Sequence, residues 1–362
     1  MKIVIIQDRL RLGGTEAQAL ALGQQWLAAG HDVRLITFRH GGALADSRAA
    51  KRLKVKVLQP FVTWLDGWAP GLEKAISELA PDVVVAFGRE ANAKLPRLQK
   101  LANRPTLAGT LRSGREQPAR FWEGLKAADV VIANARWAAE AAAKNGIAPE
   151  KLQMIYSGPA RKLNVPDPAA ARAEWRKQAQ TPKSAVVLLC VAAFRLGKGQ
   201  HILLRAMSNL PVELDWQLWF AGDGLTVNQC ERLAEQLSIA DRVNFMGTVV
   251  DPAPLYAAAD IAVLTSLAEA LPNFLIEAQL AGLPVVATAV GGVPECFEEE
   301  KTGLGVPDGD MDKLVAALTR AISDEAWRKS VREPAQARAN ELFNEERNGA
   351  RWLEVFASLG SA

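Results

Sequence analysis

Short apolar runs rich in β-branched residues alternate with longer stretches of helical period almost from one end of the chain to the other. In the first half, runs at residues 3–6, 33–37, 55–58, 83–87, 106–110 and 130–133 predict strands, and Ala-rich stretches at 15–29 and 136–144 predict helices between them. In the second half, runs at 185–191, 217–221, 243–245, 261–265 and 285–288 repeat the arrangement. Nearly continuous apolar strands separated by helices belong to parallel sheets covered on both faces. The pattern therefore predicts an α/β protein of two doubly wound, Rossmann-like domains. The segment NVPDPAA at 164–170 carries two prolines and breaks the pattern, which predicts a linker there. The expected division is an N-terminal domain over 1–163, a linker over 164–182, a C-terminal domain over 183–342 and a final segment, 343–362. Open α/β sheets bind ligands beyond the carboxyl ends of their strands, so two facing domains are expected to hold the site in the cleft between them.

Composition narrows the class without changing this picture. The 362 residues are 49% hydrophobic and 23% charged, with Gly and Pro scattered, which excludes disorder, collagen and coiled coil. Cys190, Cys230 and Cys296 stand 40 and 66 residues apart, neither a disulfide framework nor a CxxC zinc pattern, and read as buried thiols in a reducing compartment. The first apolar run stops at Gln7-Asp8-Arg9, too early for a signal peptide, and no run approaches a membrane span. A soluble, cytoplasmic protein is expected, with no nucleic-acid partner.

Two strand-to-helix turns have the chemistry to hold an anion. Gly13-Gly14-Thr15-Glu16 follows the first strand, where glycines let backbone amides approach a phosphate, although a plain structural turn explains it as well and it is not a GxGxxG fingerprint. VAAFRLGKG at 191–199 places Arg195 and Lys198 beside Gly199 at a helix start. Cations there oppose the helix dipole, which favours an anionic ligand such as a departing diphosphate over a merely solvated helix end.

The densest constellation is SLAEALPNFLIEAQLAG at 266–282. Pro272 suits the first turn of a helix that Gly282 closes, with Glu269 just before it and Glu277 inside it, eight positions on. At the helical rise the two carboxylates lie about 10 Å apart along the axis. A retaining hydrolase pair sits roughly 5 Å apart, so this spacing suits gripping two hydroxyl-bearing parts of one extended ligand. The amides of Asn273, Phe274 and Leu275 point between them.

These residues carry a resemblance. Glu269 and Glu277 match an E-x7-E motif, and FAGDG (220–224), VNFMG (243–247), ATAVGGVPE (287–295) and GLGVPDGD (303–310) follow in the order of the donor domain of family-four glycosyltransferases of the GT-B fold. The Gly13-Gly14 turn with Glu16 resembles that family's N-terminal loop. The resemblance implies transfer of a sugar from a nucleotide diphosphate, UDP- or GDP-linked, to an acceptor hydroxyl with retained configuration. It implies that Glu277 holds the ribose hydroxyls, that Glu269 with the amides of Asn273, Phe274 and Leu275 holds the donor sugar, and that Lys198 and the Gly13-Gly14 loop hold the diphosphate. Thr248, Val249 and Val250 would lie along the base, and residues 343–362 would form a helix packing toward the first domain. Glu269, Arg195 and Lys198 form the expected catalytic set, although Ala193 stands where many members carry arginine and Arg195 is taken to substitute.

A family histidine in the N-terminal domain has no clear counterpart. His31 and His201 read as structural, and His40 could face the cleft or serve the fold. TLRSGRE at 110–116 and the strand end at 90–92 occupy the corresponding region, which makes Glu16, Asn92 and Arg112 acceptor-side candidates; a surface salt bridge accounts for Arg112 equally well. Asp308-Gly309-Asp310 has the form of a DxD metal motif, but it precedes a helical run over 311–322, where Asp310 reads as an N-cap. No metal and no cofactor beyond the nucleotide-sugar co-substrate are expected. A nucleotide-sugar epimerase of the same form, or a silent nucleotide-binding partner subunit, are the rival readings.

The formal charge of +3 conceals a division. Residues 1–165 carry 25 Lys+Arg against 14 Asp+Glu, net +11, and the remainder nets −8. A basic first domain attracts anionic lipid headgroups or a phosphorylated acceptor. Within it, PFVTWLDGWAPGL at 60–72 spaces Phe61, Trp64, Leu65 and Trp68 as a helix would, and Phe121-Trp122 follow Arg115 and Arg120. Taken singly each aromatic reads as core; with the local charge they suggest a peripheral site at the inner membrane face. The expected acceptor is a lipid-linked glycan, a lipopolysaccharide core or another envelope polysaccharide.

Overall fold

The computed structural model describes residues 1–11, 13–159 and 163–360. Leu12, which ends the loop before the expected Gly-Gly turn, residues 160–162 at the expected domain boundary, and residues 361–362 lie outside the described residues. Two compact units form: Met1–Arg161 with Phe343–Ala362, and Lys162–Leu342.

The first unit holds seven parallel strands, β1 (Lys2–Gln7), β2 (Asp32–Thr37), β3 (Lys56–Val57), β4 (Val83–Phe87), β5 (Thr106–Leu111), β6 (Val130–Ala133) and β7 (Leu152–Met154), in the order β3-β2-β1-β4-β5-β6-β7. The second holds six, β8 (Val186–Val191), β9 (Trp216–Ala221), β10 (Val243–Phe245), β11 (Ile261–Leu264), β12 (Val285–Thr288) and β13 (Gly303–Val306), in the order β10-β9-β8-β11-β12-β13. Both sheets are doubly wound and parallel throughout, as the apolar pattern predicts. The central strands are buried along almost their whole length because helices cover both faces, so alternation in the sequence is lost. The chain reverses its direction of winding between β1 and β4 in one sheet and between β8 and β11 in the other. Those two gaps are where an open α/β sheet leaves room for a ligand.

β7 and β13 were not expected from the apolar pattern. They are three- and four-residue edge strands, and β13 reads Gly-Leu-Gly-Val, too short and too glycine-rich to register as a run.

The core of the first unit includes its last helix, Glu345–Gly360. Trp352 and Phe356 pack on Trp26 with ring centroids 5.8 and 5.7 Å away, Trp352 stacks on Phe87 at 6.0 Å, and the Trp26 indole N–H donates to the Gly349 carbonyl at 3.3 Å. Such aromatic pairs add about 0.5–1.5 kcal/mol each beyond the area they bury. In the second unit Phe194, Phe220 and Phe245 form a ring cluster with centroids 5.5–5.9 Å apart. Counted by unit, the net charges are +9 and −6, so the basic and acidic division survives the regrouping of the last helix. No helix among the described residues is long and apolar enough to cross a membrane.

The segment 164–182, expected as a linker, instead contains a helix, Pro168–Gln178, that belongs to the second unit. The same residues that suggested a break start this helix. Asp167 caps it by accepting the Ala170 N–H at 2.9 Å, and Pro168 occupies the first turn, where a missing N–H costs nothing. Arg172 and Arg176 reach from it to the Asp260 carboxylate and to the carbonyl of Ala258. The Val187 N–H in β8 donates to the same carboxylate at 2.7 Å. Asp260→Ala removes the acceptor shared by two guanidiniums and a strand amide, and is expected to lower the stability of this unit by about 2–3 kcal/mol in a urea titration. A helix serving only as a tether would leave the midpoint within about 0.5 kcal/mol of the parent.

Candidate functional site

In the second unit the polar candidates gather beyond the carboxyl ends of β8 and β11. The loop after β8 makes a 3-10 turn, Leu196–Lys198, and then enters the helix Gln200–Ser208 through Gly199. Gly199 has φ +68°, and a side chain there would collide with the Thr265 carbonyl just past β11. The close approach is fastened by the Thr265 hydroxyl donating to the Gly199 carbonyl at 2.8 Å and by the Leu267 N–H donating to the Gly197 carbonyl at 3.0 Å. This interlock delivers Lys198 to Glu269, and the two side chains form an ion pair. Both are largely shielded from solvent, so the pair is screened far less than a surface bridge. Arg195, at the mouth of the turn, is exposed.

Glu277 lies on the helix Asn273–Leu280 with its side chain buried. The Tyr256 hydroxyl donates to its Oε2 at 2.6 Å, and the Tyr256 ring stacks on Phe274, centroids 6.1 Å apart. A buried carboxylate needs such a donor, because an unpaired one would carry the full cost of leaving water. Tyr256 was not singled out from sequence. It sits in an Ala-rich helix one strand away, and only the fold brings it to Glu277.

One of the three amides expected to point at a ligand does not do so. The Leu275 N–H donates to the Pro272 carbonyl at 3.1 Å and is committed to the helix itself. Thr248, Val249 and Val250 follow β10 in a loop where Thr248 and Val250 are exposed. Five large apolar side chains of this unit are exposed among the described residues, and four of them, Leu196, Leu225, Val250 and Leu267, follow β8, β9, β10 and β11. They put exposed apolar side chains beyond the carboxyl ends of the strands, on the side that also holds Lys198 and Glu269. At the other acidic motif, Asp310 caps the helix Met311–Ser323 by accepting the Lys313 N–H at 3.0 Å, and that bond holds its carboxyl below the ordinary range. Among the described residues no cluster of three His, Cys, Asp or Glu side chains is arranged to hold a metal.

In the first unit a cavity of about 310 Å³ opens at the gap between β1 and β4, lined by Gln7, Arg9, Glu16, Glu90, Arg112 and Phe121 among others. Its carboxylates are mostly committed: Asp8 and Asp66 both bind Arg39, and Glu90 accepts from Arg120 at 2.8 Å. Arg112 donates to the Ser157 hydroxyl at 2.6 Å and lies 5.7 Å from the Phe87 ring centroid, with no carboxylate partner among the described residues. Burial pulls its pKa down to about 10, which still leaves it cationic at neutral pH. The salt bridge weighed for Arg112 is therefore not formed.

Gly13 caps the helix Gly14–Ala28, but the Glu16 carboxylate folds back against Gly13 so closely that a side chain there would strike it. Asn92 is fully buried; its amide donates to the carbonyls of Gly88 (2.8 Å) and Thr110 (3.1 Å) and accepts from the Thr110 N–H (3.0 Å). The structure thus gives Asn92 the work of clamping β5 to the segment after β4. His40 is engaged by the Gln59 carbonyl at 2.6 Å, and His31 by the N-terminal amine at 3.1 Å. Asp8, Arg9 and Asp66 line the cavity with no role expected of them from sequence; the polar break Gln7-Asp8-Arg9 is the signal for the first two, while Glu90 falls at the strand end already named.

Comparison with known proteins bears on both units. Residues 12–159 match the family model described as Glycosyltransferase Family 4, and residues 171–338 match Glycosyl transferases group 1. The chain is 26% identical over 285 residues to the lipopolysaccharide core biosynthesis glycosyltransferase LpsE of Rhizobium meliloti, spanning 77% of this chain and 76% of that one. It is 31% identical over 248 residues to a D-inositol 3-phosphate glycosyltransferase of Corynebacterium urealyticum, spanning 64% of this chain and 57% of that one. Among solved structures, Anabaena HepE in complex with UDP-glucose superposes with a TM-score of 0.83 at 24% identity, covering 98% of this chain and all of that one.

The Gly199 interlock makes a direct test of how the Lys198 loop is held. Gly199→Ala combines a left-handed backbone with a collision against Thr265, and is expected to cost the second unit about 2 kcal/mol or more, read as a lowered thermal midpoint.

Proposed function

The chain is a family-four glycosyltransferase of the GT-B fold, and we propose that it moves a hexosyl group from a UDP- or GDP-sugar to an acceptor hydroxyl with retention of configuration. The observation that carries this reading is the pairing of Lys198 with Glu269 beyond the carboxyl ends of β8 and β11, beside the helix that carries the buried Glu277. In this reading the diphosphate takes over Lys198 and releases the Glu269 carboxylate to accept hydrogen bonds from the sugar. Glu277, steadied by Tyr256, accepts from the ribose hydroxyls, the loop of Thr248, Val249 and Val250 lies along the base, and the helix start at Asn273 and Phe274 faces the sugar. Arg195 adds a second cation where charge develops on the leaving group, and catalysis rests on positioning and electrostatic stabilisation.

The acceptor end is assigned to the first unit, with Arg112 as the cation that meets an anionic or hydroxyl group of the acceptor and Glu16 beside it. In the Gly13-Gly14 turn the Glu16 carboxylate occupies the approach, so a diphosphate contact there requires Glu16 to move aside. The acceptor is a cell-envelope glycan, lipid-linked or of lipopolysaccharide core type, a reading supported by the name of the LpsE relative and by the basic charge of the first unit. The enzyme works at the cytoplasmic face of an anionic membrane.

Glu277→Ala is expected to abolish nucleotide-sugar binding in calorimetry, and Tyr256→Phe to weaken it about tenfold by leaving the carboxylate less well oriented. Undiminished affinity in Glu277→Ala would sink the assignment. Because Lys198 and Arg195 supply the charge opposite the diphosphate, excess EDTA is expected to leave that binding unchanged.

A further inference from the structure

The first unit leaves six large apolar side chains exposed among the described residues, and five of them fall in one loop between β3 and the helix Leu72–Leu79. Phe61 is 63% exposed, Val62 78%, Trp64 96%, Leu65 58% and Trp68 38%. The helical spacing of these residues is not realised as a helix, and the burial expected of the aromatics does not occur for Phe61, Trp64 and Trp68, although it does for Phe121. The loop is nonetheless built from the inside. Buried Gln59 donates to the carbonyls of Leu65 (3.2 Å) and Trp68 (2.7 Å) and accepts from the Thr63 hydroxyl at 2.7 Å, which in turn accepts the Leu65 N–H at 3.1 Å. Asp66 binds Arg39, and the Gly67 N–H reaches Asp8 at 3.4 Å. Gln59 and Thr63 thus turn inward while the apolar side chains, with Asp66 exposed among them, face outward, the reverse of what an apolar stretch facing water requires.

Charge identifies what covers this surface. Asp66 lines the same cavity as Arg11, Arg89 and Arg115, and Gly67 abuts Glu90, the partner of Arg120. Arg11, Arg89 and Arg120 are each more than half exposed, on a unit of net charge +9. Tryptophan and phenylalanine at an apolar tip beside exposed arginines match the boundary between headgroups and acyl chains, where apolar groups enter and cations meet anionic phosphate.

We propose that residues 61–68 are an interfacial anchor that seats the first unit on an anionic bilayer. Asp66, itself exposed in the middle of the loop, lines the cavity, so seating the apolar residues around it in the membrane sets the cavity mouth at headgroup level, where a lipid-linked acceptor presents its hydroxyl. This last step rests on the acceptor reading given above; the docking itself does not.

The test is co-sedimentation of the full chain with vesicles of phosphatidylethanolamine and phosphatidylglycerol, set against pure phosphatidylcholine vesicles. The parent is expected to bind the anionic vesicles and to lose binding as salt is raised. The double variant Phe61→Ser, Trp64→Ser is expected to bind at least about tenfold more weakly with an unchanged unfolding midpoint. The single variant Trp64→Ser, altering only the most exposed side chain, is expected to fall between them. Equal binding by parent and double variant overturns the proposal, as does equal binding of the parent to both vesicle types. Self-association of the parent, lost in the double variant and unaccompanied by vesicle binding, would assign the surface to a second copy and overturn it too. A parent that docks but binds no nucleotide sugar in calorimetry overturns the proposed function and leaves the anchor standing.

Discussion

A parallel sheet covered on both faces has one place to keep polar chemistry, the rim beyond the carboxyl ends of its strands. Everything functional in this chain follows from that constraint. The strand interiors of β1, β4, β8 and β11 are apolar and buried, and polar residues just past them, Asp8 with Glu90 in the first unit and Lys198 with Glu269 in the second, are brought near one another by strand adjacency within each sheet. The glycine at 199 sharpens this from neighbourhood to contact, since only a residue without a side chain lets the loop after β8 lie against Thr265.

The constellation around Glu269 and Glu277 was legible because it is local. Glu269, Pro272, Glu277 and Gly282 occupy one loop and one helix, so their spacing in the chain is nearly their spacing in space. What lay outside the sequence's reach is what depends on packing between distant segments. Tyr256 meets Glu277 only because two helices come together, Asn92 becomes a clamp because β5 lies beside β4, and the Leu275 amide is withdrawn by Pro272 at the helix start. Two local signals pointed the wrong way. Asp167-Pro168 carries the residues of a break and also those of a capped helix start, and Arg172 and Arg176 decide for the helix through Asp260. The aromatics at 61–68 follow a helical period, but the buried Gln59 gathers that stretch into a loop.

The ion pair between Lys198 and Glu269 and the fold-back of Glu16 over Gly13 share a logic. In each case a carboxylate occupies a position proposed for a ligand: Glu269 neutralises Lys198, and Glu16 covers the approach to Gly13. Sites built this way keep their cations from recruiting stray anions, and part of any binding energy goes into breaking the internal contact.

The last helix carries a consequence for how the molecule comes into being. Trp26 is fully buried, and two of the rings that bury it, Trp352 and Phe356, arrive more than 320 residues later. During synthesis the sheet of the first unit can form early, but one side of it stays unsealed while the whole of the second unit is made. The second unit, contiguous from residue 162 to 342, has no such dependence. Completion therefore runs against chain order: the later unit can close first, and the earlier one is finished by a helix made only after the whole of the second unit. An indole held open for that interval is a natural place for a chaperone to bind, and a premature stop after residue 342 would damage the part of the protein that was translated first.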